Sequence, residues 1–271
     1  MIINSATIIY FSPTGTTKKV LHAIVEGMNM DNCNYIDLTL PNKRISNASP
    51  IHDDILIIGV PVYEERIPKM LYPFLISLKS SQKLVVLVAV YGNIGEGIVL
   101  NELKDITEKS GFKVVAAASF VGEHSFSTKK VPIAEGRPNH GDLIKAQDFG
   151  QKIMKKVQTI NDLKEISLFI PEGNLPLMAK ILPKNSARIF TKTPEADMSI
   201  CNHCGVCVKL CPMSAIDKNT LKIKESQCIR CFSCVKKCSR KAREIIYKKK
   251  FLVTRILNAK NKEEKEPKIY L

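Results

Sequence analysis

The sequence contains no hydrophobic run long enough to cross a bilayer. Its longest aliphatic stretch, KLVVLVAVYG at 83–92, is far shorter than the roughly 20 residues that a membrane-spanning helix needs. The N-terminus, MIINSATIIY, has neither the basic segment nor the small-residue cleavage site of a secretory signal. We therefore expect a cytoplasmic protein without an integral membrane segment. The Lys-rich C-terminus leaves peripheral membrane association as a weaker alternative.

Signatures of common catalytic sites are also missing. The chain has no HExxH motif, no GxxxxGK[ST] phosphate loop, no second GxGxxG-type segment for a nicotinamide nucleotide, and no evident Ser-His-Asp or Cys-His set. It has no helix-turn-helix or RNA-binding motif, so we expect no nucleic-acid partner. We assign no catalytic residue from the sequence.

Cysteine is scarce everywhere except in one short region. Of nine cysteines, only Cys33 lies outside 201–238, and it is expected to be an inert core residue of the second strand. The other eight form two runs with the same spacing, C-x2-C-x2-C-x3-C, which is an internal repeat. Such clustering in a cytosolic chain indicates metal binding rather than disulfides.

This spacing is typical of two [4Fe–4S] clusters. Three thiolates on one loop reach one cluster, and the fourth cysteine points to the other. One set is therefore predicted to be Cys201, Cys204, Cys207 and Cys238, and the other Cys228, Cys231, Cys234 and Cys211. Two structural zinc sites are the alternative, but zinc usually takes two separated C-x2-C pairs. Ser239 stands where such a run usually ends in proline, which removes no ligand.

Positive charge is concentrated in the second half of the chain. Residues 1–158 contain 18 Lys and Arg against 15 Asp and Glu, whereas residues 159–271 contain 23 against 11. A basic half fits an acidic redox partner, an anionic surface or simply a solvated Lys-rich face. We expect acidic redox partner proteins, and the sequence leaves a homodimer open.

Residues 1–158 alternate between strand-like and helix-like patterns, which predicts a doubly wound parallel sheet of five strands. The apolar, β-branched runs are 6–11, 33–38, 54–60, 84–90 and 113–121, and the helical patterns are 16–28, 69–79, 96–110 and 142–157. Ligands of such sheets bind at the carboxyl ends of the strands. The polar segment 122–141 is long for a connection and is predicted to be functional or mobile.

The rest of the chain divides into three parts. Residues 159–195, with Pro171, Pro176, Pro183 and Pro194, are predicted to be a linker or a strap lying on the first domain. Residues 196–245 form the cysteine module. Residues 246–271 are a basic tail, expected to form a helix on the module followed by a frayed end.

The loop FSPTGTT at 11–17 follows a strand and opens a helix. Helix N-termini bind phosphate, and the hydroxyls of this loop add donors, while Gly15 allows a close approach. The alternative is an ordinary hydroxyl N-cap. The candidate phosphate-binding residues are Ser12, Pro13, Thr14, Gly15, Thr16 and Thr17.

These motifs resemble two known families. The cysteine module is similar to bacterial two-cluster ferredoxins, which implies a small α+β domain. The pattern S-x-T-G-x-T resembles the phosphate loop of flavodoxins, which hold FMN. Together with GVPVYEERIPK, VAVYGN and GEHSFS, the whole chain resembles a flavodoxin–ferredoxin fusion family of anaerobic bacteria and archaea. In that family, glycine is common before Arg66 and a basic residue is usual after YGN, where this chain has Glu64, Glu65 and Ile94.

The resemblance implies a flavin site built from three further loops. Tyr63 and Tyr91 would flank the isoalloxazine ring, glycines after the fourth strand would allow backbone contacts with it, and the loop of His124 would close over it. The implied residues are Pro61, Val62, Tyr63, Tyr91, Gly92, Asn93, Gly95 and His124.

Two functions follow from these cofactors. The first is an electron carrier that passes electrons between FMN, two [4Fe–4S] clusters and redox partner proteins. The second is an FMN-dependent reductase of a small molecule, fed by the clusters. The long loop at 122–141 favours the reductase, because a lid serves a substrate. The lack of a nicotinamide-nucleotide segment and of an acid–base set favours the carrier.

Overall fold

The structure is a computed structural model, and it describes residues 1–44, 48, 50–173, 175 and 185–271. Pro176 and Pro183 of the expected linker lie outside these ranges. None of the helices in the described ranges is long and apolar enough to cross a membrane.

A single sheet organises the N-terminal part of the chain. Its strands are β1 (Ser5–Tyr10), β2 (Asn32–Asp37), β3 (Ile55–Pro61), β4 (Leu84–Tyr91), β5 (Lys113–Val121) and β6 (Lys268–Tyr270). They lie in the order β2-β1-β3-β4-β5-β6; the first five are parallel, and β6 is antiparallel to β5. The order 2-1-3-4-5 is that of flavodoxin-like sheets. The predicted fold class is therefore confirmed, with one strand added at the edge.

Helices cover both faces of this sheet. They are α1 (Thr16–Met28), α2 (Tyr72–Ser77), α3 (Val99–Lys109) and α4 (His140–Thr159), with 3₁₀ turns at Pro41–Lys43, Lys69–Leu71 and Leu163–Glu165. One core lies between the sheet and α1 and α4, and a second lies between the opposite face and α2 and α3. Because β3 and β4 are buried along their whole length, their continuous apolar runs are those of strands covered on both sides.

The cysteine module is small and built from short elements. Its helices are α6 (Val206–Lys209) and α7 (Ser233–Lys236), and α5 (Ala187–Phe190) precedes them. Isolated bridges join Ala196 to Arg243 and Ile216 to Ile223. Each short helix contains the third cysteine of its run, so the sequence repeat is also a structural repeat.

A third hydrophobic core joins the two parts of the chain. It brings together residues of the long loop, of the cysteine module and of the C-terminal helix α8 (Lys250–Lys260), namely Phe126, Val131, Ile133, Phe232, Val253 and Leu257. Part of the segment 122–141, which its length predicted to be functional or mobile, is therefore packed against neighbouring elements.

The C-terminus differs from the frayed end that the sequence predicted. After α8 the chain returns to the sheet, where Ile269 of β6 packs on the first core and Tyr270 on the second. The described part of 159–195 also contacts the first domain, because Leu168 and Ile170 are buried in the second core. The carbonyl of Leu168 accepts a hydrogen bond from Lys104 Nζ at 2.9 Å.

Candidate functional site

Four loops meet at one edge of the sheet, because each follows the carboxyl end of a parallel strand. They start after β1, β3, β4 and β5. In the first loop, Gly15 has φ +94° and is the residue before α1, a backbone conformation that favours glycine. The Oγ of Ser12 accepts a hydrogen bond from the backbone N–H of Lys18 at 3.0 Å, which holds the loop tightly around the helix start.

Two features of this loop fit an anion. The hydroxyl of Thr17 is buried, with the residue 1% exposed, and its Oγ1 has no hydrogen-bond partner in the structure. The backbone N–H groups of Thr16 and Thr17 lack a partner among the described residues. Unpaired buried donors are costly, and a phosphate group at a helix N-terminus satisfies them. The hydroxyls of Thr14 and Thr16 lie 3.4 Å apart beside them.

The second loop presents Tyr63. Pro61 ends β3, Val62 donates its N–H to Val90 O at 2.9 Å, and Tyr63 pairs with Arg66 in a tight turn. The ring of Tyr63 packs edge-on against Phe11, with centroids 6.3 Å apart. Burial, and secondly the nearby Cys231 thiol, raise the pKa of Tyr63. This tyrosine therefore lies between the loops and the cysteine module.

The turn after Tyr63 has a backbone that favours glycine, the residue that is common before Arg66 in the family that the sequence resembles. Glu64 and Glu65 have φ +55° and +63°, in the left-handed region that favours glycine. The carbonyl of Glu65 accepts the N–H of Ile98 at 3.0 Å, and a Cβ on Gly97 would lie 2.0 Å from that oxygen. Gly97 thus serves the contact between two protein loops.

The third loop is covered by the C-terminal segment. Tyr91, one of the implied flavin residues, is 3% exposed, and Lys265 Nζ lies 6.0 Å from its ring centroid. Asn93 donates to Asn261 Oδ1 and Glu263 O, both at 2.9 Å, so its side chain binds the C-terminal segment. Lys265 also donates to Ile94 O at 2.9 Å. The tail thus brings a cation to the loop that lacks a basic residue of its own.

Glycines of this loop make room for protein neighbours. A Cβ on Gly92 would lie 2.3 Å from Cδ2 of His124, and one on Gly95 would lie 3.3 Å from Glu65 Oε1. The absence of a side chain at Gly92 therefore allows His124 of the fourth loop to approach closely.

The fourth loop holds His124 in a neutral state. Its Nδ1 accepts the N–H of Phe126 at 3.0 Å, and its ring packs edge-on against Phe126. Burial, and secondly the positive charge of Lys236, lower the pKa of His124 to about 4. Because Nδ1 is an acceptor, the proton of the neutral ring is on Nε2, which leaves Nε2–H as the available donor.

The eight clustered cysteines surround two cavities of similar size. One, of ≈ 370 Å³ including space open to solvent, is lined by Cys201, Cys204, Cys207 and Cys238. The other, of ≈ 360 Å³, is lined by Cys211, Cys228, Cys231 and Cys234. These are the two sets expected from the spacing, each taking its fourth cysteine from the other run. Among the described residues, no group of three His, Cys, Asp or Glu side chains is placed to hold a single metal ion.

The surroundings of these sulfurs fit metal-bound thiolates. Ala215 N–H donates to Cys211 Sγ at 3.2 Å, and Ala242 N–H donates to Cys238 Sγ at 3.3 Å, the same i to i+4 contact in both runs. The buried Arg243 lies 3.7 Å from Cys207 Sγ. Burial raises the pKa of the Cys234 thiol to about 12. The two N–H donors and the guanidinium of Arg243 would stabilise negative charge on the sulfurs that they contact.

The second cysteine run is docked on the four loops. Ser233 Oγ donates to Pro13 O at 2.6 Å in a buried contact, and Phe232 packs edge-on on Phe126, with centroids 5.5 Å apart. Lys236 forms an ion pair with Glu123. The cavity of Cys228, Cys231 and Cys234 is therefore the inner one, beside the loops, whereas Cys204 of the outer cavity is exposed.

Sequence reasoning missed these docking residues. Phe232 has φ +55°, in the position where the first run has Gly205 with φ +71°. A bulky residue in this conformation is strained by roughly 1 kcal/mol or more. The presence of phenylalanine in the second run, where the first run has glycine, is the one sequence signal that could have marked Phe232 as a contact residue.

Known proteins are similar to two different parts of this chain. Residues 193–239 match the family model of 4Fe-4S dicluster domains. None of the curated proteins compared with the chain matches it. Among solved structures, a flavodoxin from the domain Archaea is 16% identical over 57% of this chain and 99% of its own, with a TM-score of 0.41.

Two further structures resemble the same part of the chain. The flavodoxin of Streptococcus pneumonia TIGR4 is 14% identical over 56% of this chain and 98% of its own, with a TM-score of 0.40. Rubredoxin oxygen:oxidoreductase from the anaerobe Desulfovibrio gigas is 17% identical over 57% of this chain and 36% of its own, with a TM-score of 0.42. At these identities the likeness concerns the fold alone. The chain joins a flavodoxin-like fold to a segment that matches 4Fe-4S dicluster domains, the architecture of electron-transfer flavo-iron–sulfur proteins.

Proposed function

We propose that this protein carries electrons between an FMN, two [4Fe–4S] clusters and an acidic redox partner protein. The observation that supports it most directly is the docking of the inner cysteine cavity on the loops of the flavodoxin-like sheet, through Ser233 and Phe232. When bound, FMN supplies one- and two-electron chemistry and the clusters supply one-electron chemistry.

The residues of the first, second and fourth loops would hold the flavin. The unpaired N–H groups at the start of α1 and the hydroxyls of Thr14, Thr16 and Thr17 would bind the phosphate. Tyr63 keeps exposed surface and would pack on the ring system, and the Nε2–H of His124 is a donor for it. Gly92 of the third loop would contribute its backbone, whereas the side chain of Asn93 is engaged by the C-terminal segment.

Each cluster would take three cysteines from one run and one from the other. The inner set is Cys211, Cys228, Cys231 and Cys234, and the outer set is Cys201, Cys204, Cys207 and Cys238. The backbone donors Ala215 and Ala242 would each stabilise one sulfur, and such N–H···S contacts tune cluster potentials.

The partner protein would meet the outer cluster. Cys204 is exposed, and Met198, Ile200, Val206 and Leu210 around that run are exposed apolar residues. The excess of Lys and Arg in residues 159–271 fits an acidic partner, whose approach it would steer. Eight clustered thiols require reducing surroundings, so we place this activity in the cytoplasm.

The carrier is better supported than the reductase. The reductase depends on a lid that opens for a substrate, but Phe126, Val131 and Ile133 of the long loop are buried in the third core. A loop held in this way joins two domains.

Anaerobic purification followed by iron, sulfide and flavin analysis tests this function. We expect about eight iron, about eight sulfide and one FMN per chain, and stepwise reduction seen by absorbance and EPR. A chain that holds zinc in place of iron, or that binds no flavin, would contradict the proposal. Oxidation of the reduced protein by a small molecule in the absence of partner proteins would favour the reductase.

A further inference from the structure

The phosphate loop has no cation of its own. Its residues 12–17 contain no Lys or Arg. Lys18 follows it, but its Nζ lies over the ring of Tyr10, 6.0 Å from the centroid, and its positive charge acts on His22. A dianionic phosphate at this loop would therefore depend on backbone and hydroxyl donors unless a cation comes from elsewhere.

A lysine of the cysteine module comes close to this loop. Lys237 Nζ lies 4.0 Å from the position that a Cβ on Gly15 would take, and apart from Gly15 and its two chain neighbours no other described residue comes within 4 Å of that position. Lys237 is exposed, and its Nζ has neither an ion-pair nor a hydrogen-bond partner among residues 1–44, 48, 50–173, 175 and 185–271. Its neighbour Lys236, by contrast, is paired with Glu123.

The backbone position of Lys237 is determined by the contacts of the helix that precedes it. It follows α7 directly, and Ser233 at the start of that helix is 1% exposed and bonded to Pro13 inside the phosphate loop. The helix is thus anchored to the same loop that Lys237, the residue after it, approaches. An anchored backbone leaves only side-chain rotamers to be ordered when Lys237 meets an anion, which lowers the entropic cost.

The repeat supplies an internal comparison. Counted from the fourth cysteine of each run, Lys237 corresponds to Leu210, and Ser233 corresponds to Val206. Lys236 corresponds to Lys209, so basic character by itself is common to both runs. The second run thus differs from the first at the two positions that reach the phosphate loop.

We propose that Lys237 is part of the flavin site and binds the FMN phosphate from the cysteine module. This inference rests on the proposed function, because it requires FMN at the first loop. The phosphate would then be held by both halves of the molecule: by α1 and its hydroxyls on one side, and by the ammonium group of Lys237 on the other. Bound FMN would thereby stabilise the docked position of the inner cysteine cavity.

The test compares FMN with riboflavin, which lacks the phosphate. Each flavin is titrated into deflavinated, cluster-containing full-length protein, and the dissociation constant is read from the quenching of flavin fluorescence. In Lys237→Gln we expect FMN binding to weaken by about three- to tenfold, the range for one exposed charge pair, while riboflavin binding is unchanged. Lys237→Arg should keep most of the FMN affinity.

Lys209→Gln is the matched control. It removes the same charge from the corresponding helix of the first run and should leave both dissociation constants unchanged. Iron content and the visible spectrum check that each variant retains its clusters. Equal FMN affinity in Lys237→Gln and wild type, or equal weakening of both flavins, would overturn the role of Lys237. A wild-type chain with intact clusters that binds neither flavin would instead overturn the proposed function, and the inference with it.

Discussion

His124 shows at the level of one residue how burial and a neighbouring charge determine a protonation state. The ring is enclosed by Gly92 and Phe126, and its Nδ1 is used as an acceptor. Protonation would remove that acceptor and place a positive charge beside Lys236. The folded state therefore requires the neutral ring.

A pH dependence of stability follows. The pKa of His124 is about 4 in the folded chain, against an ordinary value of 6.5. Between pH 4 and pH 6.5, His124 is therefore largely protonated in the unfolded chain and largely neutral in the folded chain. The free energy of unfolding therefore has its full value above about pH 6.5. It decreases by up to roughly 3 kcal/mol as the pH falls towards 4. Urea unfolding at pH 7 and pH 5, followed anaerobically by circular dichroism, measures this loss.

His124→Gln should make the unfolding free energy less dependent on pH in this range. His52→Gln is the matched control, because His52 is exposed, and it should keep the wild-type slope. Identical slopes in all three proteins would mean that His124 does not resist protonation.

At the scale of elements, the C-terminal strand β6 shows how a short segment can cover the edge strand of a parallel sheet. Strand β6 covers β5, the last strand of the parallel sheet, and its two apolar residues enter opposite cores. An uncovered edge of a sheet offers unpaired N–H and C=O groups to other chains. The strand therefore both stabilises the sheet and protects it.

Ile269 and Leu271 form a matched pair for testing this role. Ile269 packs against the first core, whereas Leu271 is 46% exposed at the end of the chain. We expect Ile269→Ala to lower the free energy of unfolding by about 1–2 kcal/mol, about half the cost at a fully buried site. Leu271→Ala should cost less than about 0.5 kcal/mol. Urea unfolding compares the two, and equal costs would show that β6 adds little to the core.

For the whole molecule, the sequence predicted each domain better than it predicted their contact. The strand pattern at 113–121 and the helix pattern at 16–28 match β5 and α1 in both bounds, because long periodic segments carry a strong local signal. Strand β6 has three residues, too few for a period to be seen. The contact of Ser233 with Pro13 joins residues 220 apart in sequence, and no local pattern encodes it.

The candidate site likewise combines features that local sequence patterns predict with features that depend on contacts between distant parts of the chain. The assignment of the cysteines as cluster ligands stays a prediction from their local spacing, and the structure gathers the same two sets around its two cavities. The role of Tyr91 was not predictable, because Lys265 and the tail that cover it come from the far end of the chain. Sequence resemblance could name Tyr91 and Asn93, but only the fold shows that their side chains serve the C-terminal segment.

The order of the two cysteine cavities makes a prediction about electron flow through the whole protein. The inner cavity contains Cys231, which is 8% exposed and lies near Tyr63, and the outer one contains the exposed Cys204. Electrons from a partner protein should therefore reach the flavin only through the outer and then the inner set. Loss of the outer cluster should slow exchange with the partner and leave the inner cluster in contact with the flavin.

Cys204→Ala and Cys231→Ala separate these steps. Each should lose about four iron per chain, and stopped-flow absorbance then follows reduction of the flavin. With a reduced acidic ferredoxin as donor, both variants should be much slower than wild type. With a small chemical reductant that reaches the inner cluster directly, Cys204→Ala should still equilibrate the flavin with its remaining cluster, whereas Cys231→Ala should not. The opposite pattern would mean that the cluster held by Cys201, Cys204, Cys207 and Cys238 is the one that serves the flavin.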